Sequence, residues 1–254
     1  MFPTPERAVR ALACHARFDR ARFPREPERQ DLPRSTPEGG EALSPVESME
    51  FLARNGFSLV AFRHAGTVEE AVSAAREIGF PVAVKLNSLD VTHKSDVGGV
   101  VLNVTDEAGV RKAFQAIGEI PKRIGARDGG VLVSAMAPPG REVVAGVTRD
   151  LQFGYAVMFG LGGVLVEVLG DVAFRMVPLT ERDAADMIAE IRGAGVLKGV
   201  RGGRPADVAA LRQLLVQVSD LVLKHPEIGE MDLNPVIVYE KGLRIVDARI
   251  VPVT

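Results

Sequence analysis

Cysteine is almost absent from this sequence, and neither sign of charge prevails. Cys14 is the only cysteine among 254 residues, which excludes an internal disulfide and a metal site built from several cysteines. Lys and Arg total 31 against 33 Asp and Glu, so the net charge of -2 gives a nucleic-acid role no electrostatic support. The N-terminal residues lack the apolar core of a secretion signal, and the most apolar stretch, 155–174, is interrupted by glycines and two carboxylates. We therefore expect a cytoplasmic protein that neither crosses a membrane nor binds nucleic acid.

The composition divides the chain into two parts. Thr4 and Pro5 suit the start of a short helix, and residues 20–41 are rich in Pro, Arg, Glu and Gly, which indicates a linker. Signals of regular structure return at Ser44, because Ser44 and Glu47 have the spacing of a capping box. The predicted organisation is an N-terminal helix and linker over 1–43 and a folded domain over 44–254, with lobes of about 44–133 and 134–254.

Helices and strands are expected to alternate irregularly within the folded domain. The predicted elements, in chain order, are a helix after Ser44, a strand near Leu59, a helix over 68–78 after Thr67, strands at 81–86 and 99–104, a helix over about 106–120, strands at 130–133, 142–147, 154–159 and 172–177, helices after Thr180 and Pro205, and a closing hairpin. This mixture of helices and hairpins predicts an α+β fold and not one doubly wound parallel sheet.

The closing hairpin, MDLNPVIVYEKGLRIVDAR, places three oxygen-bearing side chains on one face. Asp232 and Asn234 are two residues apart and therefore point the same way in a strand. A two-residue turn at 241–242 sets Asp247 opposite Val236 on that face. Two carboxylates and one carboxamide suit Mg²⁺ or Mn²⁺, whereas zinc is a poorer choice because no Cys or His accompanies them. The alternative is a solvent-facing hairpin with ordinary acidic residues.

Residues early in the domain are candidates for binding phosphate. In the strand PVAVKLN, Lys85 points away from the apolar side, where it either reaches a phosphate or protects a sheet edge. The next loop offers Lys94 and Ser95 as donors, and the backbone amides near Gly98 and Gly99 are expected to approach phosphate closely.

His93 and four residues of the second half complete the candidate set. A neutral loop imidazole such as His93 acts as a nucleophile toward a phosphoryl group, unless it is an ordinary surface histidine. Gly162 and Gly163 form a phosphate-facing loop or a simple bend between strands, and Glu142 is an acidic candidate for the same cleft. Arg175 projects from the face of its strand opposite Phe174 and is expected to clamp a phosphoryl group.

Taken together, these candidates are the parts needed to hold a nucleoside triphosphate and move its terminal phosphate. The sequence contains no P-loop string GxxxxGK[ST] and no kinase HRD or DFG string, so those two architectures are disfavoured.

Three long segments carry a family resemblance: FPVAVKLNSLDVTHKSDVGGVVLNV, GREVVAGVTRDLQFGYAVMFGLGGVLVEVLGDVAFRMVPL and the closing hairpin. In this order they closely resemble the ATP-grasp module of NDP-forming acyl-CoA synthetases, such as the beta subunit of ADP-forming acetate-CoA ligase. More distantly, the hairpin resembles the succinyl-CoA synthetase beta subunit. The resemblance covers the chain from about Ser44 to its end.

The resemblance implies two α+β lobes that hold ATP or ADP and Mg²⁺ between them. The implied reaction converts acid, CoA and ATP reversibly to acyl-CoA, ADP and phosphate through an acyl phosphate and a phosphohistidine. The motifs align Lys85 with a lysine that contacts nucleotide phosphate and His93 with a phosphate-carrying histidine. Three residues match the metal-binding positions, and three more lie in family motifs without an individual role: Asp232, Asn234 and Asp247, then Glu142, Glu167 and Arg175.

Two departures from the family pattern affect the predicted function. Residues 133–136 read Val-Ser-Ala-Met where relatives often show Gln or Glu, so recognition of adenine or ribose is expected to rest on backbone groups or to be weakened. The family's CoA-binding part is missing, so the resemblance implies a CoA-binding alpha subunit or fused domain that carries the other phosphohistidine. The protein is then one partner of a hetero-oligomer or a part of a longer chain.

Two other functions remain open on the sequence alone. One is a regulatory nucleotide-binding ATP-grasp module of a fused protein acetyltransferase. The other is an ATP-grasp carboxylate-amine ligase, which needs no phosphohistidine.

Overall fold

The structure is a computed structural model and describes residues 42–91, 94–150, 152–163, 170–199 and 204–253. The predicted N-terminal helix, almost all of the predicted linker, His93 and Glu167 lie outside the described residues. The described residues belong to one compact unit that extends from Ser35 to Thr254. None of the helices in these ranges combines the length and the apolar character needed to span a bilayer.

Helices and strands follow one another in the irregular order that the sequence predicts. In the described residues the helices are α1 (Pro45–Arg54), α2 (Val68–Ile78), α3 (Glu107–Ile124), α4 (Glu181–Glu190) and α5 (Val208–Lys224), with a 3₁₀-helix at Arg192–Val196. The strands are β1 (Phe62–Ala65), β2 (Val82–Leu86), β3 (Val100–Val104), β4 (Val131–Ala135), β5 (Arg141–Asp150), β6 (Gly154–Leu161), β7 (Val172–Met176), β8 (Ile228–Val238), β9 (Leu243–Ile245) and β10 (Ala248–Pro252). The α+β class is confirmed, although Leu59 forms only a single parallel bridge to Ile245 where a strand was predicted.

Capping boxes start α1 and α2 as predicted. The Ser44 hydroxyl accepts the Glu47 amide at 3.2 Å, and the Glu47 carboxylate accepts the Ser44 amide at 2.8 Å. Thr67 and Glu70 make the same reciprocal pair, at 3.2 and 3.1 Å. Each pair satisfies two amides that a helix start leaves without an intrahelical partner, which fixes where the helix begins.

The first sheet has four antiparallel strands in the order β1-β4-β2-β3, with α2 and α3 on one face. Val82, Val84 and Leu86 of β2 are 0% exposed and pack in the core shared with these helices. Lys85 has the opposite orientation, as the alternation predicts, and is directed to the closing hairpin. The charged side chain of Lys85, in the first sheet, therefore contacts the second half of the chain.

The second sheet has six strands in the order β10-β8-β5-β6-β7, with β9 paired to β8. One face forms a large core with α4, α5 and α1, and the other face carries the exposed Phe174. Met49 and Leu52 of α1 belong to this core, although the sequence places them at the start of the predicted first lobe. The predicted lobe boundary between 133 and 134 falls inside β4 of the first sheet, and α1 packs with the later sheet.

The closing hairpin keeps a single register from Leu243 to Val251. The Asn234 amide donates to the Asp247 carbonyl at 3.2 Å, so the prediction that Asp247 lies opposite Val236 is wrong. The reason is the turn, which centres on 240–241, one residue before the predicted 241–242. Both strands also change face at this point, because Leu233 and Val236 on one strand and Ile245 and Ala248 on the other all belong to the core. Asp247 therefore lies across from Asn234, beside the core residue Ala248.

Asp207 ties the first turn of α5 to the hairpin turn. Its carboxylate accepts the Gly242 amide at 2.7 Å and the Ala210 amide at 3.0 Å. These two bonds lower the pKa of the Asp207 carboxyl, because they stabilise its ionised form. The two bonds join the first turn of α5 to the end of the hairpin turn.

Replacing Asp207 with Ala is expected to lower the free energy of unfolding by about 1–2 kcal/mol near pH 7, because a helix cap and a turn contact are lost together. The pKa of Asp207 is lower in the folded protein than its ordinary 3.8, so this stabilisation is present above pH 3.8 and is lost as the pH falls through the folded-state value. Urea denaturation at neutral and acid pH measures both effects. Asp207→Asn is the matched control, since Asn also caps helices, and it should lose less stability. An Asp207→Ala deficit that stays constant into acid would contradict the role of the ionised carboxylate.

Candidate functional site

The hairpin presents the three predicted oxygen ligands on the face away from the core. Met231, Leu233 and Ala248 are at most 4% exposed in the second core, and the alternation of the strands turns Asp232 and Asn234 the other way. Asp247 lies across from Asn234 and shares the second strand of the hairpin with Arg249, which pairs with Asp232. The structure thus brings two carboxylates and one carboxamide to neighbouring positions of one surface.

Two lysines of the first half reach this surface at Asp247. The Lys94 ammonium lies 2.7 Å from Asp247 Oδ2 and 2.9 Å from Oδ1. The Lys85 ammonium donates to the Val246 carbonyl at 2.9 Å and lies 3.7 Å from Asp247 Oδ2. Lys85 is only 4% exposed, so its charge is enclosed between β2 and the hairpin. The site is therefore built from both sheets.

Burial and neighbouring charges together shift the pKa values of Asp247 and Lys85. Burial alone raises the pKa of the Asp247 carboxyl, but Lys85, Lys94 and the Ala248 amide outweigh burial and hold this pKa below its ordinary value. Burial also lowers the pKa of Lys85, an effect that the attraction of Asp247 opposes. Asp247 is consequently an ionised carboxylate at neutral pH, which is the form that binds cations.

The donor chemistry of the hairpin fits a magnesium ion. Mg²⁺ takes hard oxygen ligands, commonly one or two carboxylates together with waters and substrate phosphates. Asp232, Asn234 and Asp247 supply such oxygens, and the first two residues are exposed. Among the described residues no group of three or more His, Cys, Asp or Glu side chains that could hold a metal ion occurs, so a cation here needs the amide oxygen of Asn234 or ligands from a substrate.

The glycine turn after β2 has a different role from the predicted one. The Gly99 amide donates to the Lys94 carbonyl at 2.7 Å, and the Gly98 amide donates to the Ser95 carbonyl at 3.1 Å. Both amides are therefore used within the turn, which corrects the prediction that they bind phosphate. A Cβ on Gly99 would lie 3.0 Å from the Lys94 carbonyl and 3.1 Å from the Leu86 Cβ, so the glycine is needed to close the turn. Ser95 is exposed in the same turn, whose effect is to present Lys94 to the hairpin.

Glu142, Gly162 and Gly163 form a second cluster on the sheet. The Gly162 amide donates to the Glu142 carbonyl at 2.8 Å, and a Cβ on Gly163 would lie 3.7 Å from Glu142 Oε2. Glu142 is exposed and pairs with Ile237, which is three residues from Asn234 along β8. The structure therefore brings these three predicted residues together. Their cluster lies farther along the sheet than Lys85, Lys94 and Asp247.

Arg175 is not brought into this group. It pairs with Val157 across β6 and β7, and Val157 belongs to the buried core, so Arg175 lies on the helix-covered face. Its guanidinium lies 2.7 Å from Glu190 Oε2 on α4. Phe174 occupies the open face instead, with 48% of its surface exposed. Alternation correctly separated Arg175 from Phe174, and the predicted clamp role would require the open face, which Phe174 and not Arg175 occupies.

Replacing Arg175 with Met is expected to leave Mg-ATP affinity within about twofold, because its ion pair lies on the helix side of the sheet. The free energy of unfolding should fall by no more than about 1 kcal/mol, since both partners are partly exposed. Calorimetric titration with Mg-ATP and urea denaturation measure the two quantities. Glu190→Gln is the matched control and should show the same small changes in affinity and stability. A tenfold or larger loss of Mg-ATP affinity in Arg175→Met alone would indicate that Arg175 contacts the nucleotide.

Comparison with known proteins gives consistent matches. The ATP-grasp domain family matches residues 34–251. The chain is 43% identical over 267 residues to acetate-CoA ligase (ADP-forming) I of Archaeoglobus fulgidus, covering 98% of this chain but only 38% of that protein. It is 46% identical over 219 residues to acetate-CoA ligase (ADP-forming) II subunit beta of Pyrococcus furiosus, covering 84% of this chain and 93% of the subunit.

A solved structure is similar as well. It is the dinucleotide-forming acetyl-coenzyme A synthetase 1 of Ca. Korarchaeum cryptofilum in complex with coenzyme A and Mg-AMPPCP, with its phosphohistidine segment pointing towards the nucleotide binding site. The TM-score is 0.73 and the identity 45%, and the match covers 84% of this chain and 93% of that chain.

Proposed function

Because this chain belongs to the family of ATP-grasp domains, we propose that it is the nucleotide-binding part of an ADP-forming acyl-CoA synthetase. The proposed reaction converts acid, CoA and ATP reversibly to acyl-CoA, ADP and phosphate. This part moves phosphate between the nucleotide and a histidine. The observation that carries the proposal is the meeting of Lys85 and Lys94 with Asp247, directly across the hairpin from Asn234.

The residues of the site have complementary tasks in this proposal. Lys85 and Lys94 place two positive charges where the phosphates of ATP or ADP are to be neutralised. Asp232, Asn234 and Asp247 would hold Mg²⁺, or Mn²⁺ in its place. When bound, such an ion neutralises charge on the phosphate oxygens. The cluster at Glu142 is proposed to line the nucleotide farther along the sheet.

His93 is proposed to carry the transferred phosphate. Its neutral imidazole nitrogen forms a bond to the terminal phosphorus of ATP, the bond from that phosphorus to the bridging oxygen breaks, and ADP leaves with the electron pair. His93 lies outside the described residues, so the support is its place in the motif that resembles the family. Lys94 follows His93 directly in the chain and contacts Asp247.

The remaining chemistry is proposed to belong to a CoA-binding partner. The chain spans 38% of the Archaeoglobus protein but 93% of the Pyrococcus beta subunit. These proportions support either a separate CoA-binding alpha subunit or a fused CoA-binding domain, which would carry the second phosphohistidine. The acyl group is selected there and not by the residues described above.

Phosphate transfer from ATP labelled at its terminal phosphate tests the proposal. The chain is incubated with Mg-ATP alone, with a co-purified CoA-binding partner, and with that partner plus acid and CoA. We expect labelled phosphohistidine on this chain, and acyl-CoA formation with release of phosphate only in the complete mixture. Absence of labelling with a partner that completes the reaction with another nucleotide-binding subunit would overturn the proposal. ADP release that depends on an added amine and not on CoA would favour a carboxylate-amine ligase.

A further inference from the structure

The Lys94 ammonium contacts the Asp247 carboxylate, which is one of the proposed cation ligands of the hairpin. We propose that Lys94 and a divalent cation compete for Asp247, so that binding of the cation releases the lysine ammonium to the phosphates of the nucleotide. Lys94 then acts as a positioning residue in the cation-free protein and as a phosphate ligand afterwards. The inference rests on the proposed function, because it takes the cation and the nucleotide from there.

The hydrogen-bonding capacity of Asp247 is the first reason for competition. Oδ1 accepts from Lys94 at 2.9 Å and from the Ala248 amide at 3.0 Å. Oδ2 lies 2.7 Å from the Lys94 ammonium and 3.7 Å from the Lys85 ammonium. The Lys94 and Ala248 contacts occupy three of the roughly four lone-pair sites of the carboxylate, and Lys85 at 3.7 Å adds charge without a hydrogen bond. A cation that approaches Asp247 therefore meets the Lys94 ammonium on both carboxylate oxygens.

Electrostatics selects the same outcome. Two ammonium groups already lie against one carboxylate in a site with little exposure, at 5% for the Lys85 side chain and 12% for the Lys94 side chain. A divalent cation on the same oxygens would repel both ammonium groups strongly, because water screens weakly there. Occupation of Asp247 by the cation therefore favours departure of an ammonium group.

Lys94 is the lysine that can leave. Lys85 belongs to β2, a strand paired on both sides, and its ammonium also donates to the Val246 carbonyl. Lys94 instead begins the glycine turn between β2 and β3, and the next two residues of this turn are exposed. Rotation of a lysine side chain in a turn breaks no strand pairing. The Lys94 ammonium leaves from a position next to the cation. A phosphate bound to that cation is therefore close enough for the ammonium to contact.

The exchange predicts effects of opposite sign in a Lys94→Met variant. Mn²⁺ alone, used as the probe cation, should bind about 5- to 10-fold more tightly than to the unaltered protein, because its competitor is gone. The gain in affinity that AMPPCP adds to Mn²⁺ binding should be about 5- to 10-fold smaller in the variant than in the unaltered protein, because a phosphate contact is lost. Electron paramagnetic resonance of free Mn²⁺ gives both affinities. Lys122→Met is the matched control, since Lys122 pairs with Glu119 on the exposed surface of α3 and should show neither change.

Labelling of lysine amines in the unaltered protein gives a readout that needs no variant. Saturating Mn²⁺ without nucleotide should raise the acetylation rate of Lys94 by about threefold or more, while the rate at Lys122 stays constant. Adding AMPPCP should lower the Lys94 rate again. A Lys94 rate that does not respond to Mn²⁺, or equal Mn²⁺ affinity in the Lys94→Met variant and the unaltered protein, would overturn the exchange alone. Absence of Mn²⁺ binding in both proteins, with or without AMPPCP, would overturn the hairpin cation site of the proposed function and the exchange with it.

Discussion

Replacement of His93 with Asn is expected to abolish phosphate transfer through this chain. Asn has no nitrogen that acts as a nucleophile toward phosphorus, so labelled phosphoenzyme should fall by a factor of about 10³ or more. The affinity for Mg-ATP should change by no more than about twofold, because the proposed ligands of the nucleotide are the lysines and the hairpin residues. Loss of transfer without loss of binding is the signature of a phosphate carrier.

Rapid quenching after mixing with labelled ATP measures the transfer, and calorimetry measures the binding. His64→Asn is the matched control, since His64 is an exposed histidine of the first sheet whose Nε2 lies 2.8 Å from the Gly129 carbonyl. That variant should keep full transfer. Transfer at an undiminished rate in His93→Asn would show that phosphate takes another path, and the site would then serve a reaction without this phosphohistidine.

The hairpin shows why part of the site was predictable from the sequence. Strand side chains alternate with a period of two, so Asp232 and Asn234 share a face whatever the partner strand does. The predicted turn was one residue too late, which changed the register by two and moved Asp247 from Val236 to Asn234. The grouping of the three oxygen ligands survived the error because both strands change face between Asn234 and Val236 and between Ile245 and Asp247, which a strict period of two does not predict.

Other features depended on contacts that no local pattern encodes. Lys94 and Asp247 are 153 residues apart in sequence, and their pairing requires that the glycine turn and the hairpin meet. Alternation separated Arg175 from Phe174 but gave no information about which face the helices cover. The role of the Gly98 and Gly99 amides likewise depended on the closed turn, because a hydrogen bond inside the turn competes with any ligand for these amides.

Asp247→Asn is expected to remove both cation binding and a large part of the stability. Lys85 stays buried beside an amide that carries no charge, and loss of one partner of a buried ion pair costs about 3–5 kcal/mol of unfolding free energy. The Val246 carbonyl still accepts from Lys85, which should keep the loss near the lower end. Affinity for Mg-ATP should fall by about 100-fold, because one of two carboxylates is gone. Urea denaturation and calorimetry check the two effects.

The double variant Lys85→Met with Asp247→Asn separates stability from function. Removing the buried ammonium eliminates the uncompensated charge, so most of the stability lost in Asp247→Asn should return, whereas Mg-ATP binding should stay at the level of the single variant or below it. Lys85→Met alone should cost little stability, because Asp247 keeps Lys94 as its partner. A double variant as unstable as Asp247→Asn would mean that the hairpin needs the carboxylate for its own geometry. In that case the loss of Mg-ATP binding would report a distorted hairpin and not a missing cation ligand.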